Sequence, residues 1–70
     1  MSDGLTLPQK LLLADMNPKG LYIRKYGRYS RTADALVRKG YAVVDEHDYS
    51  RLGQDHYALT EKAKHWLGEI

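Results

Sequence analysis

The sequence predicts a small α+β domain in which helices pack on a two- or three-stranded antiparallel β-hairpin. Three observations carry that expectation. Three segments show helix start or stop signals, at Thr6-Leu7-Pro8-Gln9, from Ser30 to Gly40 and at Thr60-Glu61. Two short β-type runs, Tyr41-Ala42-Val43-Val44 and His56-Tyr57-Ala58-Leu59, flank a polar connection containing Gly53. Seventy residues leave room for a single core, so residues 1–70 are expected to form one domain.

The elements follow in order. Thr6 can cap a first helix, Pro8 falls in its first turn where a missing N–H costs nothing, and Gln9 completes a capping box. Leu12, Leu13 and Met16 then share one face, with Leu5 or Leu7 below them. Asn17-Pro18-Lys19-Gly20 ends this helix, because proline cannot continue it and asparagine and glycine tolerate left-handed geometry. Leu21-Tyr22-Ile23 reads as a brief strand or a turn of helix, and three residues do not decide between them. Gly27 argues against a long helix in this region.

Ser30 to Lys39 is the clearest helix. Ser30 is its expected cap, and Ala33, Leu36 and Val37 form a buried face joined by Tyr41. Lys39 suits the negative end of the helix dipole and Gly40 is the left-handed terminator. Arg31, Asp34, Ala35 and Arg38 then point outward. The two β-type runs form a hairpin whose long tip runs from Asp45 to Asp55. Thr60 caps a last helix, Glu61 suits its first turn, and Leu59, Ala63, Trp66, Leu67 and Ile70 make a core stripe.

Composition excludes several classes. Hydrophobic residues are 43% and charged residues 29% of the chain, too apolar for wholesale disorder. With no cysteine there is neither a disulfide framework nor a thiolate zinc site, and a reducing compartment is the natural setting. The longest apolar run, Leu11 to Ala14, is closed by Asp15, far short of a membrane span or a signal core. Met1-Ser2-Asp3-Gly4 is not a basic leader. A cytoplasmic chain without membrane contact is expected.

The net charge of +2 conceals a strong asymmetry. Residues 19–39 carry seven cations against Asp34 alone, a net +6, whereas residues 1–18 carry −1 and residues 40–70 carry −3. A segregated basic segment suits a polyanionic partner. Within it, Tyr22-Ile23-Arg24-Lys25-Tyr26-Gly27-Arg28-Tyr29-Ser30-Arg31 interleaves tyrosines with cations. Arginine and tyrosine both reach phosphate oxygens, and arginine also reads guanine edges. The simpler account is a solvated helix face, with some tyrosines serving a core that has no phenylalanine.

Two motifs carry a resemblance. Thr32-Ala33-Asp34-Ala35-Leu36-Val37-Arg38-Lys39-Gly40-Tyr41 resembles the end of a recognition helix with its "L-x-x-x-G-hydrophobic" step into a wing. Tyr57-Ala58-Leu59-Thr60-Glu61-Lys62-Ala63 resembles the "Y-x-L-T-x-x-G" return strand and helix start. Together they resemble the winged helix-turn-helix module of MarR-type bacterial regulators, over residues 30–67 and more loosely 5–17. Ala63 departs from the usual glycine, residues 18–29 are too short for a full second helix, and the long dimerisation helices have no counterpart.

The resemblance implies double-stranded DNA binding, by a transcriptional or recombination regulator, through residues 24–38 from Arg24 onward. Ser30, Arg31, Asp34, Ala35 and Arg38 would face the major groove. Lys25, Arg28 and Tyr29 would approach phosphates at the helix N-terminus, and Arg51 would reach out from the wing tip. A homodimer is compatible with it, and no cofactor is implied.

The acidic hairpin, with Asp45, Glu46, Asp48 and Asp55, supports an alternative. A winged module of this size could bind a protein or ribonucleoprotein partner, as a phage- or plasmid-type inhibitor or adaptor does. An enzyme is not expected: there is no glycine-rich phosphate loop, no G-x-S-x-G and no H-E-x-x-H. His47, Asp48 and His56 could meet across the hairpin, but their spacing matches no familiar metal site, so none is assigned. Ser50 reads as a turn residue and His65 as a surface residue.

Overall fold

The computed structural model describes residues 4–45 and 52–68. The order is α1 (Leu7–Met16), β1 (Leu21–Arg24), α2 (Ser30–Arg38), β2 (Ala42–Asp45), β3 (Gln54–Leu59) and α3 (Glu61–Trp66). The predicted α+β class is the class observed: three helices and a three-stranded antiparallel sheet ordered β1-β3-β2. No helix among the described residues is long and apolar enough to cross a membrane.

Local chemistry starts and stops the helices. At α1 the Thr6 side chain accepts from the Gln9 N–H at 3.4 Å, while the Thr6 N–H donates to Gln9 Oε1 at 3.0 Å. This is the expected capping box, with proline in the first turn. Gly40, at φ +85°, ends α2. Its N–H donates to the Val37 carbonyl and the Tyr41 N–H to that of Leu36, the paired bonds of a Schellman motif. Thr60 caps α3 by accepting from the Ala63 N–H at 3.3 Å.

Several expectations need correction. Ser30 is the first residue of α2, not its cap. Tyr29 holds the cap position, and the Ser30 hydroxyl turns back to donate to the Gly27 carbonyl at 3.0 Å. Asn17 is extended, with φ −79° and ψ 133°, and only Gly20 in that turn is left-handed. Leu21–Arg24 is a strand, settled by pairing with β3 rather than by its own pattern. Gln54 and Asp55, expected in the connection, belong to β3, and Asp45 belongs to β2. Lys39, expected only to suit the helix dipole, instead ties the end of α2 to the start of α1. Its ammonium donates to the Gly4 carbonyl and, at 2.7 Å, to Gln9 Oε1.

The core lies where α1 and α2 cover one face of the sheet. Leu13, Met16 and Leu36 are its largest fully buried side chains, joined by Leu5, Leu12, Ile23, Ala33, Tyr41, Ala42, Tyr57 and Ala63. Of the two leucines proposed below the first helical face, Leu5 is buried and Leu7 is 68% exposed. Leu59, Trp66 and Val37 are partly buried against the cluster. Each fully buried leucine contributes about 1.5–3 kcal/mol of hydrophobic transfer free energy, and a core this small has few of them. Gly20 closes the α1–β1 turn at φ +79°, and a Cβ there would collide with the Tyr57 carbonyl oxygen.

Candidate nucleic-acid interface

The outer face of α2 is built by helical periodicity. Ala33 and Leu36 are fully buried, so positions 31, 35 and 38 lie on the opposite side of the cylinder. Arg31 and Arg38 are exposed there, with half-buried Ala35 between them. Seven positions separate the two arginines, about 10 Å along the axis. Thr32 and Lys39 flank this stripe on the side of α1, and Asp34 flanks it on the side of the sheet.

Asp34 is exposed beside the stripe, three residues from Arg31 and four from Arg38. Its carboxylate accepts a hydrogen bond from the hydroxyl of Tyr57 at 3.2 Å. Tyr57 is buried on the core side of β3 and reaches α2 from beneath. The one carboxylate of the basic segment is thus tied to the sheet at the edge of the stripe, where it remains exposed.

A second group gathers where β1 meets the turn before α2. Tyr22, Arg24, Gly27, Arg28, Tyr29 and Gln54 line an open cleft of about 380 Å³. Arg24 ends β1 directly opposite Gln54 in the register. The Tyr22 ring leans on His56 of β3, with centroids 4.9 Å apart and planes at 53°. The neighbouring Lys25 is exposed, and its backbone N–H donates to the Gly53 carbonyl at 3.1 Å. Arg24, Arg28 and Tyr29 are exposed as well. None of Arg24, Lys25, Arg28, Arg31 and Arg38 makes an ion pair among the described residues.

The structure thus brings Arg24, Arg28 and Tyr29 into one cleft, and Arg31, Ala35 and Arg38 onto one helix face. Ser30 is half-buried with its hydroxyl used on Gly27, whereas Asp34 is exposed while its carboxylate accepts from Tyr57. Arg51, together with Glu46, His47, Asp48 and Ser50, lies outside the described residues. Asp45 and Asp55 are separated by the pleat, Asp55 sharing the core side with Tyr57 and Asp45 the outer side with its partner His56. His56 also lies 3.2 Å from the Lys19 carbonyl oxygen, and His65 is exposed on α3.

No protein-family model matches the chain, and neither a curated protein nor a solved structure matches it significantly.

Sequence reasoning missed Tyr22, Gly27 and Gln54 as parts of a cleft. Alternation along Leu21–Arg24 would have put Tyr22 beside Arg24 had the strand been recognised. For Gln54 there is no local signal, because only the β1–β3 register sets it beside Arg24. Also missed was an apolar groove of about 550 Å³ between α1 and the start of α2, with Leu7, Leu11, Ala14 and Tyr29 on its walls.

Proposed function

We propose that this chain is a small winged helix-turn-helix domain that binds duplex DNA, with α2 as its recognition helix and the β2–β3 hairpin as its wing. The element order and the β1-β3-β2 sheet support the fold assignment. In this reading the segment 25–29, a turn following β1, stands where a positioning helix would be.

One observation carries the function. Five cations of residues 24–38 are exposed without an ion pair among the described residues, while the single carboxylate among them is bound by Tyr57. Cations left unpaired on one segment are suited to phosphates, whose binding releases condensed counterions. Arg31 and Arg38 would enter or border the major groove with Ala35 between them, close enough for a base methyl. Arg24, Lys25 and Arg28 would hold phosphates, and Arg51 the backbone beside the wing. The role is that of a transcriptional or recombination regulator, cytoplasmic and without a cofactor.

The test is a fluorescence anisotropy titration of mixed-sequence duplex DNA at low and moderate salt. The four backbone contacts assigned to Arg24, Lys25, Arg28 and Arg51 predict a log–log salt slope of about −3.6. Absence of binding at low salt would sink the reading.

A second reading, a winged module that acts on a protein, is favoured by the apolar groove along α1. Leu7 and Leu11, one turn apart, are 68% and 60% exposed. Apolar side chains grouped on a surface mark contact sites more often than isolated ones do. A chain that ignores DNA at low salt but is retained by a protein partner would establish this reading instead.

A further inference from the structure

We propose that the cleft between β1 and the turn before α2 takes one unpaired nucleotide. The protein would then bind duplex DNA best where a base is displaced or an end is single-stranded. This rests on the DNA reading and deepens it.

The cleft is built for such a ligand in four respects. Its volume, about 380 Å³, falls within the range of small-molecule sites, roughly 300–1,000 Å³. Two tyrosines wall it. Tyr29 is 53% exposed and lines both this cleft and the groove beside α1, while the Tyr22 ring is braced by His56. Aromatic faces of this kind stack unpaired bases without regard to sequence. Arg24 and Arg28 supply charge for the phosphate of the same nucleotide. The Gln54 amide, opposite Arg24 in the register, carries both donors and an acceptor for a base edge.

Glycine at position 27 keeps one wall low. A Cβ there would sit 3.0 Å from the Arg24 Cβ, tighter than ordinary contact, so Arg24 would have to give by a few tenths of an ångström. A base inside a duplex is stacked and paired, so it cannot present its face to Tyr29. A base already unpaired enters without that cost. The combination of stacking faces, an amide and two guanidinium groups favours a nucleotide over a simple phosphate, which has no use for the tyrosines.

The experiment compares three labelled probes on the full chain by anisotropy: a blunt duplex, the same duplex with a one-base bulge, and the same duplex with a short single-stranded overhang. The bulged and overhanging probes should bind about tenfold tighter than the blunt one, the scale of one stacked base. Tyr29→Ala and Gln54→Ala should collapse that ratio toward one, and Tyr29→Phe should retain it. Circular dichroism confirms that the variants fold. Equal affinity for all three probes would overturn the cleft assignment while leaving duplex binding intact. A preference that survives Tyr29→Ala would also overturn it. If no probe binds at low salt, the DNA reading fails, and the cleft assignment with it.

Discussion

The Tyr57 hydroxyl donates to the Asp34 carboxylate at 3.2 Å, joining the middle of β3 to the flank of α2. A core tyrosine thereby anchors the one acidic side chain of the exposed helix above it. Asp34 stays exposed beside Arg31 and Arg38, with one carboxylate oxygen engaged by the sheet.

Removing that hydroxyl tests the link. Tyr57→Phe keeps the buried ring but leaves Asp34 without this donor. The expected loss is about 0.5–1.5 kcal/mol, the usual net worth of one hydrogen bond, read by urea denaturation. Freed from the sheet, the Asp34 carboxylate can swing toward the stripe, so duplex DNA should bind the variant more weakly at low salt. Asp34→Asn should bind it more tightly.

Thr60 makes two bonds with one hydroxyl. It accepts from the Ala63 N–H and donates to the Gly40 carbonyl at 2.7 Å, tying the start of α3 to the end of α2. Thr60→Val loses both and should cost about 1–2 kcal/mol, whereas Thr60→Ser should be close to neutral. Thermal melts followed by circular dichroism rank the pair.

Two glycines with nearly equal φ should respond differently to alanine. Gly20 (φ +79°) has no room for a Cβ, because the Tyr57 carbonyl occupies the space, whereas Gly53 (φ +74°) faces open space. Gly53→Ala carries only the left-handed penalty, about 1–2 kcal/mol. Gly20→Ala adds a backbone collision and should be clearly worse. Denaturant midpoints of the two variants decide the order.

The leucines of α1 divide by face. Leu13→Ala empties a fully buried site and should cost about 2–5 kcal/mol, enough to unfold much of a domain this small. Leu11→Ala, at a 60% exposed site, should stay within about 0.5 kcal/mol of the parent. Equal effects of the two would mean that α1 presents a different face to the core.

Features written in local chemistry were legible in the sequence. The Thr6–Gln9 box, the Gly40 terminator and the Thr60 cap each depend on residues three or four positions apart. The α2 stripe was legible because helical period alone puts 31, 35 and 38 opposite 33 and 36. A serine fits both the cap and the first helical position, and Ser30 takes the latter with its hydroxyl bonded to the Gly27 carbonyl. Strand β1 was undecidable locally, since its partner Tyr57 lies far along the chain from Leu21. The cleft depends on that same long-range pairing and the Asp34–Tyr57 bond on a strand residue far along the chain, so neither could be read from neighbouring residues.

The central claim is that the unpaired cations of residues 24–38 bind duplex DNA. The most direct measurement is the salt dependence of duplex binding for the parent chain beside Arg28→Ala/Arg31→Ala/Arg38→Ala. Loss of the Arg28 phosphate contact should flatten the log–log slope by about 1, and loss of the groove-facing Arg31 and Arg38 should weaken binding steeply at every salt concentration. A folded triple variant that binds with the parent's affinity and slope would contradict the account.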